Sequence, residues 1–182
     1  YYQVPVMQQY FSWLKNIFTE WNWGTSTYIT PNVGATVLIA ERLAFSIRIN
    51  IISVLFSVPI GIALGIWAAL KKNKLTDHII STTVMVFISV PSFVYAFLVQ
   101  FLLCFVLDLL PLTMKPGYDY FSWEMFKSMI PAVISMSFGS IAGYARFTRA
   151  ELTEVLTSEY MLLARTKGLT KAQATTRHAL RN

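Results

Sequence analysis

Three long apolar stretches of this chain carry no charge, and polar clusters separate them. Ile49 to Leu70 is the first, long enough as a helix to cross the hydrocarbon core of a bilayer, which needs about 20 apolar residues. Pro59 lies inside it, where a kink is expected. Ile79 to Leu107 is the second and, at 29 residues, exceeds one straight crossing, so it must tilt, kink or run into the interface. Pro91 supplies the kink. Ser128 to Ala145 is the third. The pattern predicts an all-α, polytopic membrane helix bundle with three spans, about 49–70, 79–107 and 128–145. Within each run small residues recur four apart, the spacing that lets membrane helices approach closely. These are Ser53, Ser57, Gly61 and Gly65, then Ser92, Ala96, Gln100 and Cys104, then Ser135, Gly139 and Gly143. Gln100 either hydrogen-bonds a neighbouring helix, worth roughly 0.6–2 kcal/mol, or lines a pathway together with Ser92 and Ala96.

The polar ends have patterns of their own. Val6, Tyr10, Leu14, Ile17 and Trp21 share one helical face in an aromatic-rich stretch. This fits a helix lying at a membrane interface, followed by a loop through Gly24 and Pro31, or an ordinary amphipathic helix. Leu152, Val155, Leu156, Tyr160 and Leu163 recur at helical spacing and predict one helix from about Arg149 to Thr166. Gly168 stands where a helix would end in the left-handed conformation. Thr170 to Gln173 is a T-x-x-Q capping box that restarts a helix. The product is a short helix-turn-helix, basic through Arg165, Lys167, Lys171, Arg177 and Arg181, shaped to dock on another protein. A DNA-reading role is disfavoured, because Ala172, Ala174 and Ala179 offer few groups that read bases.

Composition agrees with a membrane protein: 55% of the 182 residues are hydrophobic, and mean hydropathy is +0.52. The net charge of +6 would suggest nucleic acid if it were spread out, but seven of the fifteen Lys and Arg lie between Arg146 and Arg181. The turn at Lys71, Lys72 and Lys74 is also basic, whereas Asp108 to Lys127 holds three acids against two lysines. The positive-inside rule then puts both basic regions in the cytoplasm and Tyr1 to Leu43 outside. An outside N-terminus at Tyr1, without initiator Met or signal peptide, implies that an earlier span precedes this stretch. Anionic lipid headgroups are an expected partner of Arg146 and Arg149.

Enzyme chemistry lacks its parts. His78 and His178 have no metal-ligand spacing, and the single Cys104 forms no disulfide framework within the chain. Asp77, Glu151, Glu154 and Glu159 are expected on solvated helix faces. The apolar runs contain no Asp or Glu for a proton relay, and no P-loop is present. The expectation is no catalytic residue, metal or cofactor, with any ATP hydrolysis residing in another subunit.

The C-terminal stretch resembles the EAA loop of binding-protein-dependent ABC-transporter permeases, in particular the dipeptide/oligopeptide branch, Y-x-x-x-A-R-A-K-G-L followed eight residues later by H-A-L-R-N. Tyr160, Ala164, Arg165, Lys167, Gly168, Leu169, His178, Ala179, Leu180, Arg181 and Asn182 match at the same spacing, with Thr166 replacing an alanine. Leu162-Leu163 stand where Glu-Ala is general, and Arg181 where proline is; both departures look like the peptide branch. Ser89-Val90-Pro91-Ser92-Phe93 resembles that branch's S-x-P-S-F, and Phe147-Thr148-Arg149 to Glu154-Val155-Leu156 its lead into the EAA loop. Gly24 to Ser26, Val33 and Ile39 to Leu43 match its external segment more loosely.

The resemblance implies a permease subunit of an ATP-driven, binding-protein-dependent importer of oligopeptides or dipeptides in the bacterial cell membrane, forming part of the translocation pathway. It implies an extracytoplasmic segment 1–43, a transmembrane core 44–148 and cytoplasmic coupling helices 149–182, the middle of a six-span subunit with one further span before Tyr1 and two after Asn182. Expected partners are a second permease, two cytoplasmic ATPase subunits, an extracytoplasmic peptide-binding protein and membrane lipid, with no nucleic acid. Coupling to the ATPase would fall to Glu159, Tyr160, Ala164, Arg165, Lys167, Gly168, Leu169, His178, Ala179, Leu180 and Arg181. Dipeptides, longer peptides, pheromones and nickel all remain open as cargo. The rival reading is a membrane-anchored receptor or regulator whose helix pair docks a signalling protein.

Overall fold

A computed structural model describes residues 4–114 and 121–168, together with Thr170 and Gln173, and omits the side chains of residues 160, 164 and 165. The chain divides into two compact units, one ending at Arg48 and the other beginning at Ile49. In the first, α1 (Val6–Glu20) ends at Trp21 in the left-handed conformation, with the Trp21 N–H donating to the Ile17 carbonyl and the Asn22 N–H to the Asn16 carbonyl. Ile17 is the buried residue of its apolar face, while Val6, Tyr10 and Trp21 stay exposed. A loop follows in which Thr25 and Gly34 form an isolated bridge.

Helix α2 (Ala35–Leu70) begins well before the first uncharged run, because no helix breaker stands between Gly34 and Ile49. Helices α3 (Leu75–Ser89), α4 (Ser92–Gln100) and α5 (Trp123–Leu156) complete the second unit's bundle, with α6 (Glu159–Thr166) after them. α2 and α5 are long and apolar enough to cross a membrane.

The seam between α2 and α5 is built from small residues. A Cβ on Gly61 would fall 2.6 Å from that of Tyr144 and 2.9 Å from the Ile141 carbonyl oxygen; one on Gly65 would fall 2.6 Å from the Thr148 Cβ and 2.7 Å from the Ala145 carbonyl oxygen. Ser53 and Ser57 are buried on the same stripe. The Ser53 hydroxyl lies 3.1 Å from that of Ser137, which donates to the Val133 carbonyl, and Ser57 donates to the Ser53 carbonyl. Position 53 meets 137, 61 meets 144 and 65 meets 148, so the offset barely changes and the helices run parallel.

Parallel α2 and α5 require the chain between them to return along the bundle. The second apolar run does this in two pieces, not as one kinked span: α3 and the helix that follows are bent by 98° at Val90–Pro91. Pro91 has no N–H, so the Phe87 carbonyl loses its normal helical donor. The Tyr95 hydroxyl supplies one at 2.6 Å, and its ring packs against Phe87 and Phe138, which stack on each other. Contacts climb α5 as the chain proceeds, from Asp77 at Arg149, through Val84 at Ala142 and Ala145, to Phe87 and Tyr95 at Phe138. The loop Asp108–Pro111 then shares a cleft with Glu124, Lys127 and Ser128 near the start of α5. The bent pair thus behaves as one broken passage.

Two stripes differ from their sequence reading. Phe101–Val106 is π-helical, so the spacing that joined Cys104 to Ser92, Ala96 and Gln100 does not persist; the Cys104 thiol instead lies 3.7 Å from the Pro111 carbonyl oxygen. Ser135 is buried, with its hydroxyl on the Pro131 carbonyl. Gly139 and Gly143, however, are exposed and meet nothing among the described residues. The face that α5 turns to α2 runs through Ser137, Ile141 and Ala145, two residues or about 200° round the helix from those glycines.

Candidate coupling site

The candidate site begins where α5 stops. The single helix expected from Arg149 to Thr166 is interrupted at Thr157 and Ser158. Both hydroxyls turn back on the preceding turn, Thr157 to the Glu154 carbonyl at 2.9 Å and Ser158 to the Val155 carbonyl at 2.6 Å. Such back-bonding competes with helix continuation, and the apolar spacing on either side hides it. Met161, buried, packs on Val155 and Leu156 and fixes α6 against the end of α5.

Glu159 opens α6 and is exposed. Residues 160, 164 and 165 lie within α6 by backbone. Lys167 follows, exposed, its N–H still donating to the Leu163 carbonyl. Gly168 has φ +89°, and among the described residues, its chain neighbours apart, no atom lies within 4 Å of where a Cβ would stand. The backbone angle by itself calls for glycine. Thr170 and Gln173 cap each other: the Thr170 N–H donates to the Gln173 side-chain oxygen at 3.1 Å, and the Gln173 N–H donates to the Thr170 hydroxyl at 3.3 Å. Leu169, Lys171, Arg177, His178, Ala179, Leu180 and Arg181 lie outside the described residues.

Beside this arm stands an ion pair that residue patterns did not reveal. Asp77, expected on a solvated face, is 2% exposed. Arg149, assigned to lipid headgroups, reaches it with two hydrogen bonds, Nε to Oδ1 at 2.5 Å and Nη2 to Oδ2 at 2.8 Å. The Asn73 N–H and the Ser81 hydroxyl also donate to this carboxylate. Four donors satisfy an ionised carboxylate in full. The cause is tertiary: partners 72 positions apart meet only because α3 packs back along α5. No sequence spacing could have signalled it.

The candidate pathway residues do not form a closed site. Ser92 is exposed at the start of α4, while Ala96 and Gln100 are half-buried beside Tyr95 and Val99, the residues of α4 that are buried. No group of three or more His, Cys, Asp or Glu among the described residues could hold a metal ion.

Residues 61–182 match the pattern of the binding-protein-dependent transport system inner membrane component family. The dipeptide transport system permease protein DppB of Lactococcus lactis subsp. cremoris is 37% identical over 178 residues, covering 98% of this chain and 55% of that protein. The oligopeptide transport system permease protein OppB of Escherichia coli K12 is 32% identical over 177 residues, covering 97% and 55%. DppB of Bacillus subtilis 168 is 29% identical over 178 residues, covering 98% and 54%. The chain thus spans about half the length of the curated relatives it matches. With the family match covering both the α2–α5 seam from Gly61 onward and the whole coupling arm, the chain belongs to the binding-protein-dependent transport system inner membrane component family.

Proposed function

We propose that this chain is part of a permease subunit of an ATP-driven importer of dipeptides or oligopeptides. The observation that carries the reading is the arm after α5: a break at Thr157–Ser158, a short helix, a left-handed Gly168 and a reciprocal Thr170–Gln173 cap. That shape offers a short helix followed by a sharp, capped turn to a cleft in another protein. The names of the relatives supply peptide as the cargo class. In this reading α6 and the segment after Gly168 dock on cytoplasmic ATPase subunits, two per transporter, while a second permease completes the pathway and an extracytoplasmic binding protein delivers the peptide. The charged contacts fall to Arg165, Lys167 and Arg181. Ser92, Ala96 and Gln100 line the route, and the basic Lys71–Lys74 turn faces the cytoplasm with the arm.

The test is peptide uptake and peptide-stimulated ATPase activity in vesicles holding the full-length subunit with its partners. Gly168→Val should abolish coupling, since a β-branched residue resists φ near +89°. Gly168→Asn should retain much of it, because Asn tolerates the left-handed region. Wild-type coupling in Gly168→Val would sink the docking role. A chain that bound no ATPase subunit, and whose phenotypes ignored ATP hydrolysis, would point to the receptor reading.

A further inference from the structure

We infer that Asp77 and Arg149 are positioning residues that lock the Lys71–Lys74 turn to the root of the coupling arm, so that a push on α6 moves the ends of α2 and α3 together. The inference rests on the coupling role proposed above. The carboxylate of Asp77 is buried at the first turn of α3, and it accepts both prongs of the Arg149 guanidinium. A two-pronged pair fixes orientation as well as distance. The same carboxylate accepts the N–H of Asn73, a residue held at φ 62°, so the turn itself is tied to the clamp. On the other side of Arg149, a Cβ on Gly65 would stand 3.1 Å from the Arg149 backbone nitrogen. The end of α2, its turn, the start of α3 and α5 therefore meet within one helical turn of Arg149.

From that point α5 continues without a break to Leu156, with Leu152 buried, and Met161 of α6 packs on Val155 and Leu156. A displacement of α6 has a continuous packed route to Arg149. At Arg149 the clamp decides whether the displacement stays in α5 or is shared with its neighbours. A contact that served stability alone would be replaceable by apolar side chains of similar bulk, because buried ion pairs seldom out-stabilise such replacements.

The experiment uses the full-length subunit assembled with its partner subunits in vesicles, carrying spin labels at Lys72→Cys and Glu151→Cys in a Cys104→Ser background. With the clamp intact, the label distance should be single and unchanged between nucleotide-free and nucleotide-trapped states. In the double variant Asp77→Leu with Arg149→Met, the complex should still assemble and hydrolyse ATP. The distance should broaden, and peptide moved per ATP should fall roughly tenfold, within the range typical of coupling between sites. Arg149→Lys, which keeps the charge but loses the fork, should fall between. A wild-type distance that shifts between the two states would overturn the proposal, as would an apolar double variant with unchanged distance and unchanged transport per ATP. Absence of ATP-dependent uptake by the wild-type complex would instead count against the permease reading; the label distances, measured within one subunit, would still judge the clamp.

Discussion

Helix α5 carries small residues on two opposite faces, and their environments are not alike. Toward α2 the backbones sit so close that neither Gly61 nor Gly65 has space for a methyl group. Away from α2, Gly139 and Gly143 look onto nothing among the described residues. Both sets have the four-residue spacing that permits close approach. Spacing states that a helix can be approached, and only the partner's position states whether it is. The α2 seam adds a second signal, a hydroxyl pair that crosses it, Ser53 to Ser137.

The sharpest way to break this comparison is to fill the closed seam. Gly65→Leu should destabilise the subunit at the upper end of the roughly 1–3 kcal/mol typical of overpacking. The added atoms meet the Ala145 carbonyl oxygen and the Thr148 Cβ, and backbone cannot step aside as a flexible side chain can. Denaturant unfolding of the purified subunit in mixed micelles would measure it. Gly65→Ala should move the same way by less, and a Gly65→Ala protein as stable as wild type would mean the helices are not held this close.

A smaller effect should come from Tyr95→Phe, because the ring packing is kept and only the hydroxyl is lost. The Phe87 carbonyl, already without a helical donor because of Pro91, would then have no partner at the 98° bend. The expected loss is about 1 kcal/mol, with faster hydrogen exchange in the amides around Val90. Unchanged exchange there would show that the bend is held by packing alone. Smaller again is Ser137→Ala, which removes the acceptor of the Ser53 hydroxyl while Ser53 keeps a helical backbone within reach. About 0.6 kcal/mol is the average for hydrogen bonds between membrane helices, and the same unfolding assay should resolve it against Gly65→Leu.

How much of this was legible in advance depends on the range of each interaction. The apolar runs, the left-handed Gly168 and the Thr170–Gln173 cap are local, governed by residues within a turn of one another, and the sequence displays them directly. The interruption at Thr157–Ser158 is local too, but two hydroxyls in a helical spacing of Leu152, Val155, Leu156 and Leu163 leave no gap in the apolar pattern. The bend at Pro91 was expected as a kink; its size and the Tyr95 hydroxyl reaching back to Phe87 are not stated by spacing alone. The Asp77–Arg149 pair was hidden altogether. An aspartate near three lysines reads as solvated, and only the return of α3 along α5 brings it to Arg149.

The smallest expected effect is the one that most directly tests the difference between the two faces. Gly139→Ala places a methyl group where nothing among the described residues lies within 4 Å, so no overpacking term arises. Glycine inside a helix costs up to about 1 kcal/mol relative to alanine through backbone entropy, and α5 is helical well to either side of position 139. The substitution should therefore leave the stability of the isolated subunit unchanged or raise it by a few tenths of that amount. Measured beside Gly65→Ala, the two identical chemical changes should carry opposite signs on one helix pair. The assay must use the subunit by itself, so that contacts with any second permease do not enter. A Gly139→Ala loss as large as that of Gly65→Ala would mean that another helix of the subunit occupies this face, and the distinction between a closed and an open stripe would fall.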